Sequence, residues 1–398
     1  MKGVVLVVNA GSSSIKLEVF ATAAAGALDS LATLLFEGIG VRPAMRAKDE
    51  CGAVLVERAW ERGAGPADHR AALAEVAGWL GDFLGGRRVI AVGHRVVHGG
   101  DRFAAPVAVD PAVRAALAAL VPLAPLHQPH NLAGIDAMAA LFPGVPQVAC
   151  FDTAFHRGHP FVADAFALPR ALYDEGIRRY GFHGLSYEYI ARRLAEIAPD
   201  IAMGRVIVAH LGNGASMCAL HEGRSIDSTM GFTAVDGLPM GTRTGQLDPG
   251  VLLHLIVAKG MDAAALTRLL YNESGLKGLS GLSSDMRDLE AAGTEPARQA
   301  IDYFVFRCRK EIGALAAALG GLDALVFTAG IGENSATIRA AICEGLGWLG
   351  VALDREANRR RETVLSTAAS RVRVLRIPTD EERMIATHAL ALLGETVA

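Results

Sequence analysis

The chain lacks most of the features that mark a specialised surface. Its 39 Lys and Arg nearly balance 42 Asp and Glu, leaving a formal net charge of −3. No excess of either sign advertises a nucleic acid or an anionic membrane as partner, so any anion site must be a local cluster. The five cysteines (Cys51, Cys150, Cys218, Cys308, Cys343) are odd in number, scattered and free of any C-x-x-C. That usage fits a reducing compartment and argues against a disulfide framework. Long apolar runs are missing as well. The N-terminal "VVLVV" is too short for a signal-peptide core. Ala115–Ile135, the longest stretch without Asp, Glu, Lys or Arg, is interrupted by Pro122, Pro125 and Pro129 and carries polar side chains, so it is no membrane span. A cytoplasmic protein without nucleic-acid or membrane partners is expected.

Absent motifs narrow the chemistry. Without a Gly-Lys dipeptide there is no Walker A loop. "AGIGENS" lacks the third glycine of a dinucleotide fingerprint, no G-x-S-x-G elbow occurs, and "HEGRS" is not H-E-x-x-H. Seven histidines (His94, His98, His127, His130, His156, His159, His183) crowd one third of the chain and raise the alternative of a zinc hydrolase. No pair of them has helical metal spacing with a carboxylate, and the glycine loops are left unexplained by that reading.

What is present is a chain of 398 residues, 51% hydrophobic, with 44 glycines, enough for two or three domains with ample core. Short apolar runs ending in glycine turns predict strands at Val4–Val8, Val89–Val92, Val145–Phe151, Val206–Ala209, Ala324–Phe327 and Val372–Ile377. Segments with helical spacing separate them: His69–Leu84, Pro111–Leu120, Tyr187–Ala198, Val251–Val257, Glu295–Leu319 and Ser335–Gly345. Such alternation indicates an α/β protein.

"VLVVNAGSSSIKL" (Val5–Leu17) runs from an apolar strand into small hydroxyl-bearing residues and then to Lys16. Small residues let backbone N–H groups approach an anion, although a solvated hairpin turn explains the same string. The stretch can be laid over "VIVAHLGNGASMCAL" (Val206–Leu220), a second strand–glycine turn–strand unit half a chain away, suggesting two related domains. A third glycine loop, "FTAGIGENSATIR", follows a strand and leads into a helix with Asn334 or Ser335 as cap, suited to a nucleotide or to an ordinary β–α connection.

Five further segments carry candidate chemistry. Arg95 in "VGHRVVHGG" ends a strand and could fork onto a carboxylate or phosphate, or form a surface ion pair. Asp152 in "FDTAFH" is a base, an aligning group or a cap. His183 in "RRYGFHG" precedes a helix and is a donor to a transferring group or a structural histidine. Arg243 lies in the long loop Asp227–Gly250, and "SSDMRDL" reads first as helix capping. Asp380, Glu381 and Glu382 of "IPTDEE" suit a helix N-terminus and also Mg²⁺.

In order, "NAGSSSIK", "GHRVVHGG", "PLAPLH", "FDTAFH", "RRYGFHG", "HLGNGAS", "GTRTGQLDPG", "GIGEN" and "IPTDEE" resemble the motifs of the acetate kinase family and span Asn9 to Glu382. The resemblance implies two duplicated actin-like (ribonuclease H-like) α/β domains with an active-site cleft between them. Residues 1–150 with 385–398 would form the first, and 151–384 the second, carrying the nucleotide site and a homodimer interface. It implies reversible transfer of the ATP γ-phosphoryl to acetate, giving acetyl phosphate and ADP, with Mg²⁺ as metal and Mn²⁺ able to substitute.

By match, Asn9 and Glu381 would support the metal and Lys16 would meet the phosphates. His210, Leu211, Gly212, Asn213 and Gly214, then Asp285, Met286 and Arg287, then Gly330, Ile331, Gly332, Glu333 and Asn334 would hold ATP. Arg95 would bind the acceptor carboxylate, with Arg243 and His183 on the transferring oxygens. The family's pattern gives Asp152 an acid/base role, but acetate has no proton to remove, so positioning of Arg95 or of metal-bound water is the better assignment. Val97, Leu126, Phe182 and Ala234 would line a methyl-sized pocket. Ala234 stands where many members have proline, and Asp380 replaces a frequent asparagine beside the metal. The alternatives are a propionate or other short-chain acyl kinase and, in a different class, a nucleotide-switched ATPase of the actin/Hsp70 fold.

Overall fold

The computed structural model describes residues 3–11, 13–23, 27–125 and 127–394. The chain divides into two compact units, Met1–Ala154 with Asp380–Ala398, and Phe155–Thr379.

The first unit is built on an eight-stranded sheet. Its strands are β1 (Val4–Ala10), β2 (Ser14–Thr22), β3 (Leu28–Glu37), β4 (Ala44–Asp49), β5 (Val54–Ala59), β6 (Val89–Val96), β7 (Val107–Ala108) and β8 (Gln147–Phe151), in the order 5-4-3-2-1-6-8-7. Strand β1 pairs antiparallel with β2 and parallel with β6. All of its residues but Asn9 are buried, because a central strand covered on both faces reads as one apolar run. Leu6, Val8, Ile15, Leu17, Phe36 and Met45 pack on Ala72, Val76 and Leu80 of the helix His69–Leu84. Asp68 caps that helix by accepting from the Ala71 N–H at 2.9 Å, and Gly85 ends it in the left-handed region. The C-terminal helix Glu381–Leu392 lies against β1 and β6.

The second unit repeats the theme. Strands β9 (Arg205–Leu211), β10 (Ala215–His221), β11 (Arg224–Ser228), β12 (Ala324–Thr328) and β13 (Arg373–Arg376) run in the order 11-10-9-12-13. Here too the first strand pairs antiparallel with its hairpin partner and parallel with the strand on its other side. The order matches 3-2-1-6-8 of the first unit with the same directions. Even the polar pair at the hairpin recurs: Asn9 opposes Lys16, and His210 opposes Ser216. The short internal echo is therefore a duplication of fold. Val206, Val208, Leu220 and Val326 pack on Tyr187, Ile190 and Leu194 of the helix Gly184–Ile197. Each such side chain contributes on the order of 1.5–3 kcal/mol of burial free energy.

One expectation changes: the segment Ala329–Asn334 is a short helix rather than a loop, while Ser335, one of the two expected caps, caps the helix that follows. The meander β3–β5 had no counterpart among the predicted strands. Strand β3 alternates buried and wet positions and β5 has no buried position, so neither presents a buried apolar run.

Candidate active site

In the first unit, the parallel pairing of β6 and β8 sets Arg95 beside Cys150 and brings their C-terminal ends together. Asp152, just past β8 and 2% exposed, accepts two hydrogen bonds from Arg95, Nε to Oδ1 at 2.9 Å and Nη2 to Oδ2 at 2.7 Å. This fork fixes the guanidinium plane and uses one of its edges. On the other edge, Arg95 Nη1 lies 3.8 Å from Glu381 Oε2 at the start of the last helix. Burial, with Asp152 and Glu382 close by, pushes the Glu381 carboxyl up to about 7 against the pull of Arg95 and Lys16.

Lys16, opposite Asn9 across the hairpin, reaches Glu382 Oε1 at 2.9 Å. Its ammonium pKa is raised: burial opposes the charge, and the attraction of Glu382 outweighs it. Glu18, Asp380 and Glu382 form an acidic group whose oxygens lie within 4.8 Å of one another. Burial, with those neighbours, pushes Glu18 up to about 7, although Ser30 donates to it at 2.7 Å. Asp380 is also engaged as a cap, accepting from Arg383 N at 2.9 Å and from Arg383 Nε at 3.0 Å.

Asn131 ties the first hairpin to the Arg95 strand. Buried at 3% exposure, its Nδ2 donates to Ala10 O at 2.7 Å and its Oδ1 accepts from Val97 N at 3.0 Å. No motif in the sequence points to Asn131. The available signal was an amide on the buried face of the helix Gln128–Leu141, three residues after the equally buried Gln128. Val97 itself is nearly buried, and Leu126 lies outside the described residues.

In the second unit, Gly212 and Asn213 from the β9–β10 turn face a cleft of about 540 Å³. Asp285, Met286, Arg287, Gly330, Ile331 and Asn334 line it as well. These belong to the three segments the resemblance assigned to ATP. The other members of those segments lie off this cleft. Leu211 is buried in β9, Gly332 is buried in its helix, and His210 pairs with Ser186. Glu333 turns inward, where its Oε1 accepts from Ala329 N at 2.8 Å and Thr379 N at 3.1 Å.

His183 has φ +58°, a left-handed conformation that ends the preceding loop and starts the helix Gly184–Ile197. Behind it, Gly181 has φ +73°, and a Cβ there would meet the His156 ring at 2.6 Å, so only glycine fits. His156 in turn donates from Nε2 to the Phe182 carbonyl at 3.0 Å. The His183 and His210 rings stack at 4.1 Å. A Cβ built on Gly214 would lie 3.4 Å from His183 Nε2 and 3.9 Å from Arg243 Nη1, so both groups converge on that glycine. Arg243 Nη1 is steadied by the Ala234 carbonyl at 3.1 Å, which makes Ala234 an anchor for Arg243 as well as a candidate pocket wall.

Duplicated sheets with a glycine turn beside an arginine–histidine pair define a protein of the actin-like kinase class. The model of the acetokinase family matches residues 4–387, and the chain belongs to that family. An acetate kinase of Methylocella silvestris is 56% identical over 403 residues, covering 100% of each chain. Among solved structures, the acetate kinase of Porphyromonas gingivalis superposes with a TM-score of 0.88 at 39% identity, covering 98% of this chain and 100% of that one. A propionate kinase from Francisella tularensis superposes at 0.90 with 36% identity, covering 98% and 99%.

Proposed function

We propose that the chain transfers the γ-phosphoryl group of ATP reversibly to acetate, giving acetyl phosphate and ADP by direct in-line displacement. A carboxylate is already a competent nucleophile at neutral pH. The work is electrostatic: two anions must meet, and the charge on a loose, metaphosphate-like group must be stabilised. On this reading Arg95 holds the acceptor carboxylate, and Asp152 holds Arg95. Gly212 and Asn213 carry the donor phosphates, the cleft at Asp285–Arg287 and Gly330–Asn334 takes the nucleoside, and Lys16 adds positive charge at the phosphates. His183 and Arg243 serve the equatorial oxygens. The observation that carries the reading is the convergence of His183 Nε2 and Arg243 Nη1 on Gly214.

The residues also fit a hard divalent cation. Asn9 and Glu381 offer oxygen donors, and the Glu381 carboxyl, pushed to about 7 by burial among other acids, gains from a cation beside it. Mg²⁺ held there supplies charge neutralisation at the phosphates, and Mn²⁺ offers the same ligand chemistry. We infer a homodimer through the second unit, because the helix Pro249–Lys259 exposes Leu253, Ile256 and Val257 in a row. A cytoplasmic setting without nucleic-acid or membrane partners fits the five scattered cysteines, which form no C-x-x-C, and, among the described residues, no helix long and apolar enough to cross a membrane. Propionate is the second acceptor to consider, since Val97 and Ala234 are both small and one methylene is worth only about 1–3 kcal/mol of discrimination.

Replacing Arg243 with alanine tests the assignment. By analogy with arginine fingers the loss in kcat should be roughly 10³-fold or more, with the protein still folded. Near-normal turnover contradicts it.

A further inference from the structure

His183 sits in a hydroxyl network that no sequence motif announced. Tyr187, one helical turn further along the same helix and fully buried, places its Oη 2.5 Å from Ser216 Oγ. Ser216, on β10 and also fully buried, lies 2.8 Å from His183 Nδ1. A parallel chain serves the ring stacked against it. Ser186, the residue before Tyr187, reaches His210 Nδ1 at 2.8 Å, and Thr379 Oγ1 lies 2.9 Å from Ser186 Oγ. Both imidazoles thus meet a serine hydroxyl at Nδ1.

We propose that Tyr187 and Ser216 are positioning residues for His183, acting as a relay in which Tyr187 Oη–H donates to Ser216 and Ser216 Oγ–H donates to His183 Nδ1. The direction follows from acidity. A phenol, with a pKa near 10, is a stronger acid than an aliphatic alcohol and takes the donor role in a short contact between the two. The serine proton is then left for the imidazole. A ring accepting at Nδ1 carries its own proton on Nε2, the nitrogen nearer Gly214. The relay therefore presents a fixed N–H to the transferring group, with the tautomer set before substrate arrives. Preorganised donors of this kind are worth more than mobile ones because they need no reorientation as charge develops.

The inference rests on the placement of His183 at the transferring phosphoryl group, and two measurements separate the two claims. The first is a kinetic cycle with Tyr187→Phe, Ser216→Ala, His183→Ala and the pairwise combinations, scored by hydroxamate formation from ATP and acetate. Partners that orient a functional histidine typically matter by about 10–100-fold at metal sites, and a loss of that size in kcat is expected for Tyr187→Phe. The KM values for ATP and acetate should change little, and Tyr187→Phe should add nothing in the His183→Ala background. Full kcat in Tyr187→Phe, or an equal further loss without His183, overturns the relay. The second is nitrogen-15 NMR of the His183 ring. A proton on Nε2 in the parent and a tautomer mixture in Tyr187→Phe and Ser216→Ala support the relay, while a proton on Nδ1 in the parent overturns it. Wild-type turnover in His183→Ala instead refutes the catalytic placement of His183 and withdraws the relay's function with it, whatever tautomer the ring adopts.

Discussion

Arg95 and Asp152 are joined by two parallel hydrogen bonds at 2.9 and 2.7 Å, across the ends of two adjacent parallel strands. The carboxylate spends both oxygens on the guanidinium. That arrangement suits a clamp better than a base, which needs a lone pair aimed at a proton.

Asp152→Asn removes the charge and one of the two acceptors while keeping the shape. Arg95 should lose its fixed plane, so kcat should fall by roughly 10²-fold, the scale of losing one preorganised donor, and the KM for acetate should rise. The KM for ATP should stay within about twofold if Arg95 serves only the acceptor. Steady-state kinetics with each substrate varied separately checks this. An unchanged acetate KM counts against the clamp.

Asn131 joins the Ala10 carbonyl to the Val97 N–H. Asn131→Ala leaves both groups buried without that partner, at about 1–3 kcal/mol each, so the stability lost should be roughly 2–6 kcal/mol. Urea denaturation checks the magnitude. A loss under about 0.5 kcal/mol, the range of ordinary surface substitutions, would mean water replaces the amide.

His94 is fully buried and hydrogen-bonded to Gln147 Oε1 at 2.7 Å. Burial lowers its pKa to about 4. The folded pKa lies below the unfolded value near 6.5, so the unfolded chain takes up the proton first, and this contribution to stability is present above pH 6.5 and lost as pH falls toward 4. At 1.36 kcal/mol per unit, the loss across that window is about 3 kcal/mol. Glu18, raised to about 7, works the other way, since its contribution is lost as pH rises from about 4.5 through 7. The informative comparison is therefore between variants. His94→Gln should flatten the acid limb of the stability profile by about 3 kcal/mol relative to the parent, and parallel profiles contradict it.

Glu381→Gln keeps an oxygen donor but not the charge. If Glu381 supports Mg²⁺, the variant should need at least roughly tenfold more free Mg²⁺ for half-maximal turnover, and chelation should abolish turnover in both proteins. An unchanged Mg²⁺ requirement removes Glu381 from the metal's environment.

The central strands were legible because they are buried on both faces and read as apolar runs. The helices His69–Leu84 and Glu295–Leu319 have the ends that their spacing predicted. The strands β3–β5 were not legible, because a half-wet meander such as Leu28–Glu37 shows only alternation. Within the site, Arg95, Asp152, His183 and Arg243 stood out as charged or titratable residues set among glycines. Ser216, Asn131 and Tyr187 did not, since their importance lies in hydrogen bonds to neighbours distant in sequence. Glu333 shows the reverse case. It sits inside a recognisable motif, yet its carboxylate is committed to the backbone N–H groups of Ala329 and Thr379.

The most direct measurement traps acyl phosphate with hydroxylamine, using ATP, Mg²⁺ and a series of acetate, propionate and butyrate. Hydroxamate is expected with the highest kcat/KM for acetate and a modest drop of about 10–200-fold for propionate. A preference for propionate would favour the propionate kinase reading over acetate. ATP hydrolysis with no hydroxamate from any acid would contradict the kinase assignment and leave a nucleotide-switched ATPase in its place.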